Sequence, residues 1–341
     1  MSSASDQGQV GASGGAEWQR QVERLRGPDE GGAVRRQSGT GGGAGAGGGS
    51  SAGAEAAPGR GGEAGESKAQ RSLSQWRGLA RASEQQVAFL TERLETRGAQ
   101  PEQVRLRSAY LDAFALRPGE SVLEVGCGSG AVLREVARRV GAAGCAVGLD
   151  PSAGLVAAAA DLAEGEGIAI VPCAGDGLAL PFASDRFDAA LTATTIAHVD
   201  DAGGFVRELV RVVRPGGRVG LFEQDPQSLT FAHPEPALAR RVLAAYVDHA
   251  FVDGWIARRL PELLRAAGLV DVETIGLLGA ERNPRHFIAG MALQAAEIAE
   301  RAGAITAAER ARYVAPINER REAGAFFGTL THVFAWGRKP E

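Results

Sequence analysis

The sequence predicts a doubly wound α/β fold on a seven-stranded, mostly parallel sheet. Between residues 117 and 224, short apolar segments alternate with segments of helical periodicity. The apolar segments, such as Val122-Leu123-Glu124-Val125 and Ala146-Val147-Gly148-Leu149, are nearly continuous, as strands covered on both faces are. The first of them runs directly into Gly126-Cys127-Gly128-Ser129-Gly130, a turn whose glycines can take positive φ. Right-handed βαβ crossovers between such strands give a doubly wound sheet.

Each element follows in chain order. Of 48 glycines in 341 residues, 20 fall in residues 1–70, with almost no large apolar side chains among them. That segment cannot bury enough surface to offset its ordering entropy and is predicted to be a disordered arm. Within it Trp18, Val22 and Leu25 share one helical face, read as a transient helix. A helical cap is predicted over 74–116, from Trp76, Leu79, Val87, Leu90 and Leu94, a break at Gly98–Pro101, then Val104, Leu111 and Phe114. The main domain runs over 117–341. Strands are expected at about 121–126, 145–150, 168–174, 187–193 and 218–224, with helices near 130–140, 152–164 and 201–214. Further on, 235–267, 285–301 and 306–322 read as helical, and 270–278 and 326–336 as strands. The stretch from 226 to 322 is expected to form a lid over the carboxyl end of the sheet.

Charge and composition exclude several functions. A net charge of −4 offers no basic footprint for nucleic-acid phosphates. No apolar run reaches the ~18 residues of a spanning helix, and no signal-peptide h-region opens the chain. Cys127, Cys145 and Cys173 lack metal or redox spacing. A soluble, reduced, cytoplasmic protein without a metal is expected.

The glycine turn by itself also satisfies the dinucleotide pattern, through Gly126, Gly128 and Ala131. Asp150 ends the second strand, where a carboxylate meets ribose hydroxyls in nicotinamide and S-adenosylmethionine proteins alike. Separation comes further along. Gly175-Asp176-Gly177 follows the third strand, Phe187-Asp188 opens the fourth, His198-Val199-Asp200-Asp201 follows it, and Arg214-Pro215-Gly216-Gly217 leads into the fifth. This ordered set resembles the class I S-adenosylmethionine-dependent methyltransferases, and is most similar to their small-molecule branch, which includes the ubiquinone/menaquinone-biosynthesis enzymes. The resemblance is close over Arg117–Asp225 and holds only in outline to Pro340.

The resemblance implies a Rossmann-like methyltransferase fold, S-adenosylmethionine as cofactor and a small-molecule acceptor. Glu124, Gly126, Cys127, Gly128 and Gly130 would cradle the methionine end. Asp150 would bind the ribose, Pro151 would pack near adenine, Asp176 and Gly177 would read the adenine, and Thr192 would face the amino-acid moiety. Glu124 stands where many relatives have Asp, and the ubiquinone-type signature around the fourth strand is missing, so quinone specificity does not carry over.

Methyl transfer is an in-line displacement, for which the protein mainly positions the nucleophile and excludes water. A phenol or carbon acid benefits from a base, and His198 is the candidate, with a packing role beside the cofactor as the other reading. His233 and His249 suit surface or capping roles better, while Glu223-Gln224-Asp225 stands at the ligand-binding edge of the sheet. Phe231, Tyr246, Phe251, Trp255 and Phe287 are candidates for an apolar acceptor pocket, and Arg282, Arg285 and His286 for contact with an anionic group. Two rivals are an NAD-dependent oxidoreductase and a non-catalytic S-adenosylmethionine-binding scaffold. With only Lys68 and Lys339 as lysines, both near the ends of the folding unit, the Tyr–Lys pair of one oxidoreductase type is not available. Deleting residues 1–70 is expected to leave the thermal midpoint unchanged; a large drop by calorimetry would show that the arm belongs to the core.

Overall fold

The computed structural model describes residues 78–281 and 287–341. The arm at 1–70, its Trp18 segment, Trp76, and Arg282, Arg285 and His286 lie outside the described residues. Two helices come first, α1 (Glu84–Gly98) and α2 (Pro101–Phe114). Ser83 starts α1 with a reciprocal capping box to Gln86, and Pro101 starts α2, where its missing N–H costs nothing.

The α/β alternation then runs β1 (Ser121–Val125), α3 (Ala131–Val140), β2 (Cys145–Asp150), α4 (Ala153–Gly165), β3 (Val171–Ala174) and β4 (Phe187–Ala193). It continues with α5 (Ala202–Val212), β5 (Val213–Phe231), α6 (Pro236–Ala250), α7 (Leu260–Ala266) and β6 (Val270–Glu281). The last three elements are α8 (Phe287–Arg301), α9 (Ala307–Glu322) and β7 (Gly328–Arg338). The seven strands form one sheet, as expected, in the order β3-β2-β1-β4-β5-β7-β6. All pairings among β1 to β5 are parallel, and β7 runs antiparallel to both β5 and β6.

Alternate residues of each strand enter opposite cores. Val122, Ala146 and Leu191 pack beneath α2 and α3 with Tyr110, Phe114 and Leu133. Leu123, Val147 and Ala190 join the larger core on the other face, which α5 to α9 complete. Apolar residues on both sides of the sheet explain why the strands read as continuous runs in the sequence.

Two expectations need correction. The stretch 235–267 is not one helical segment. After α6 the chain extends at Phe251 (φ −124°, ψ 154°), and the N–H groups of Val252 and Asp253 both donate to the Ala197 carbonyl. Gly254 then lies under Val247, where a Cβ would come within 2.4 Å of a methyl group. A short 3-10 turn (Ile256–Arg259) leads into α7, with Pro261 in its first turn. Nor is 226–322 a lid throughout, because it includes the end of β5 and β6, an edge strand of the sheet.

A buried ion pair joins β5 to the end of α2. Arg218 makes two bonds to Glu120, at 2.9 and 2.7 Å, and donates to the carbonyls of Phe114 and Ala115. Those carbonyls close α2 and have no continuing helix to bond. Arg218→Met would leave Glu120 buried without its cation, a loss of about 3–5 kcal/mol. The expected result is a lower urea midpoint at unchanged slope.

Candidate functional site

The carboxyl ends of β1 and β4 meet where strand order reverses, the position at which doubly wound sheets bind ligands. A cavity of about 270 Å³ opens there. Its floor is the turn after β1. Gly126, Gly128 and Gly130 all have positive φ, at 80°, 53° and 80°. A Cβ on Gly126 would fall within 2.3–2.9 Å of the Thr195 side chain, and one on Gly128 within 2.9 Å of Leu94. The turn is therefore glycine-rich for two reasons, left-handed backbone and close approach.

Asp150 ends β2 beside that turn. Its Oδ2 accepts from the Gly128 N–H at 3.0 Å and its Oδ1 from the Ser152 N–H at 2.9 Å. Burial nevertheless raises its pKa, against the effect of these two bonds. Glu124 is buried nearby, and its pKa is pushed well above the usual carboxylate range by burial first and by Asp150 second. Among the described residues, Glu124 Oε2 is buried with no hydrogen-bond partner, and Glu124 lines the cavity. Two close carboxylates, one with an orphaned oxygen, call for a cationic and hydroxyl-bearing ligand.

The far wall is the segment after β4. Ala193, Thr194 and Thr195 line the cavity, and Thr194 holds φ 54°, rare for a β-branched residue. Phe222 and Gln224 of β5 close the side. The roof comes from α1 and α2, through Leu94, Arg97, Gln103, Leu106, Arg107 and Tyr110. Glu95 holds α1 down, accepting from Ser129 Oγ and from Arg134, each at 2.6 Å.

A second cavity of about 40 Å³ adjoins the first, sharing Leu94, Arg97, His198 and Gln224 as walls. Its other walls include Arg93, Tyr246, Phe251, Phe287, Met291 and Gln294. The His198 ring stacks on Phe251 at 5.3 Å. Burial, and secondarily Arg97, push its pKa down to about 4, so the imidazole is neutral at physiological pH.

The structure thus brings Glu124, Gly126, Cys127, Gly128, Asp150, Pro151 and His198 to one cavity. Four expected residues are not at its wall. Gly130 caps α3, and a Cβ there would press on Ala159 at 3.1 Å, a packing role. Thr192 is fully buried and its hydroxyl donates to the Val125 carbonyl at 2.8 Å. Asp176 is exposed, with Oδ1 taken by the Leu178 N–H at 2.9 Å. Gly177 packs against Phe205, which a Cβ would approach to 2.5 Å.

Of the apolar candidates, Tyr246, Phe251 and Phe287 line the smaller cavity, whereas Phe231 packs on Tyr313 and Phe326, and Trp255 is 48% exposed. His233 is structural: its Nδ1 accepts from the Glu235 N–H at 3.0 Å and its Nε2 donates to the Tyr313 carbonyl at 3.1 Å. Arg93, Arg97, Arg107 and Tyr110 were not expected at the site. The signal for the first two is their placement: Leu90, Arg93, Leu94 and Arg97 share one stripe of α1, so two cations stand on its apolar side.

Glu223 is buried behind the cavities and accepts from the Ala197 and Gln224 N–H groups. Burial raises its pKa from 4.5 to about 7. The native state then binds a proton here that the unfolded chain releases, so this group's contribution to stability is lost as pH rises from 4.5 to 7. Glu223→Gln is therefore expected to gain stability relative to the unaltered protein over that window, by the order of 1–3 kcal/mol. Urea midpoints at pH 5 and 7.5 check this, and a pH-independent difference would refute it.

Residues 122–217 match a family model described as a methyltransferase domain. An uncharacterized 37.1 kDa protein in a transposon of Streptomyces fradiae is 32% identical over 226 residues, covering 66% of this chain and 64% of that protein. The 2-phytyl-1,4-naphtoquinone methyltransferase of Synechococcus elongatus is 35% identical over 39% of this chain and 55% of its own. Nocamycin O-methyltransferase of Saccharothrix syringae is 36% identical over 50% and 59% respectively. The chain thus spans between about half and two thirds of the length of these relatives. Among solved structures, a Haemonchus contortus phosphoethanolamine N-methyltransferase in complex with S-adenosyl-L-methionine superposes with a TM-score of 0.51 at 18% identity, over 79% of this chain and 60% of that one. That likeness shows the fold.

Proposed function

We propose that the protein, whose residues 122–217 match a methyltransferase-domain family model, transfers a methyl group from S-adenosylmethionine to a small, apolar or aromatic molecule. The observation that carries this reading is the orphaned, buried Oε2 of Glu124, a residue that lines one cavity together with Asp150 and the glycine turn. The residues fit the cofactor. Glu124 would accept from its ammonium group, Asp150 has lone pairs left for ribose hydroxyls beyond its two backbone bonds, and Pro151 and Leu155 offer an apolar wall for the adenine. When bound, S-adenosylmethionine supplies an electrophilic methyl on a sulfonium.

What the chain contributes is placement and exclusion of water. The walls shared by the two cavities define where cofactor and acceptor meet, and they bring Leu94, Arg97, His198 and Gln224 to that junction. The smaller cavity is mainly apolar, with Tyr246, Phe251, Phe287 and Met291, and suits an apolar or aromatic body. His198, with its pKa near 4, is a weak base and serves the acceptor by packing and hydrogen bonding. We place the reaction in the cytoplasm, following the cysteine pattern of the sequence.

Calorimetric titration tests the reading. S-adenosylmethionine and S-adenosylhomocysteine are expected to bind and NAD not to; binding of NAD alone would overturn it. Asp150→Asn removes the charge while keeping an acceptor oxygen. It is expected to weaken S-adenosylmethionine binding about 10- to 100-fold, the worth of one charge-assisted hydrogen bond. Unchanged affinity in that variant would sink the assignment of Asp150.

A further inference from the structure

We propose that Arg97, with Arg93 one turn before it, recognises a deprotonated oxygen on the acceptor, so that the acceptor is an apolar or aromatic acid rather than a neutral molecule. This rests on the methyltransferase reading for the word acceptor, but the anion site stands on its own geometry.

Arg97 faces both cavities, and Arg93 the smaller one. The Arg97 guanidinium lies over the Phe287 ring, 4.1 Å from its centroid. Burial lowers its pKa to about 10, which leaves it charged at neutral pH in poorly hydrated surroundings. Arg97 is half-buried, and a cation largely withdrawn from water is stabilised by a hydrogen-bonded counter-anion. Among the described residues none is hydrogen-bonded to Arg97. Glu223 is the closest in effect, yet both of its oxygens are taken by backbone N–H groups. No Asp or Glu stands among the described walls of the smaller cavity. Its amides do not compensate either: Gln294 Oε1 already accepts from Arg93 at 3.0 Å, and Gln224 can supply one neutral oxygen.

The cofactor has an anion of its own, but another arginine suits it. Arg107 lines only the larger cavity, on the side of Glu124, whose carboxylate feels its charge. One guanidinium group in the larger cavity and one at the junction with the smaller thus match two anions, one on each ligand. A guanidinium fork binds a carboxylate through two parallel bonds and a phenolate through one or two. The aromatic walls accept the body that carries it.

Equilibrium titration of the full chain with 1-naphthoate, 4-nitrophenolate and methyl 1-naphthoate tests this, each with and without S-adenosylhomocysteine. At least one anion is expected to bind tenfold or more tightly than the neutral ester, and the tighter of the two anions identifies the source of the oxygen. In Arg97→Gln that preference is expected to vanish, while affinities for the ester and for S-adenosylhomocysteine stay within twofold. Arg97→Lys, which keeps the charge, is expected to retain part of the preference and guards against misfolding of the first variant. Equal binding of acid and ester would overturn the proposal. So would a tenfold loss of S-adenosylhomocysteine affinity in Arg97→Gln, which would assign Arg97 to the cofactor. Failure of S-adenosylhomocysteine to bind the unaltered protein, with anion preference intact, would overturn the methyltransferase reading and leave the anion site standing.

Discussion

One carboxylate holds the site together. Asp150 takes a backbone N–H from the turn after β1 on one oxygen and from the turn after β2 on the other. The turn after β4 is fixed to the same assembly, because Thr195 packs where a side chain on Gly126 would otherwise be and its hydroxyl reaches the Gly126 carbonyl. Three strand ends thus share one geometry before any ligand arrives. Groups arranged in this way need not reorganise when charge has to be met, which is the condition under which fixed dipoles act most strongly.

The roof is built on different principles. The floor is continuous with the sheet, but α1 is tied to it by charge, through Glu95 to Ser129 and Arg134, and Arg134 also pairs with Glu166 of the segment after α4. The same helix places Arg93 and Arg97 on its inner side. A polar attachment on one edge and cations on the inner face make α1 both cover and wall, so the shape of the smaller cavity depends on how this helix is seated.

Features that depend on local spacing were legible in the sequence. The seven strands follow from runs of apolar residues, and the glycine turn and Asp150 from their distance along the chain. Of the expected residues that do not line the cavity, Thr192 shows that spacing does not say which way a side chain faces. Thr192 is one residue short of the cavity wall, and in a strand a single step turns a side chain to the other face. Its hydroxyl is spent on Val125, while Ala193 and its two successors form the wall. Asp176 forms a turn with its own neighbour's N–H, a local bond competing with any role at a distance. The break after α6 is tertiary in origin, because the Ala197 carbonyl takes the N–H groups that would have continued the helix. Arg97 was visible only as an oddity, a cation on an apolar stripe.

The position of β7 bears on the order of assembly. It lies between β5 and β6, so β6 has no sheet partner until the chain has passed through α8 and α9 and returned. The five parallel strands and the turns of the cavity floor are all made earlier along the chain. During synthesis the open flank of β5 is therefore a temporary edge, apolar and ready to pair with whatever strand reaches it. Antiparallel insertion of β7 covers that edge along ten residue pairs, Arg218↔Arg338 to Phe231↔Gly328. The floor of the larger cavity can thus take shape first, whereas Tyr246, Phe251, Phe287 and Met291 of the smaller cavity, and β7 on the flank of β5, come later along the chain.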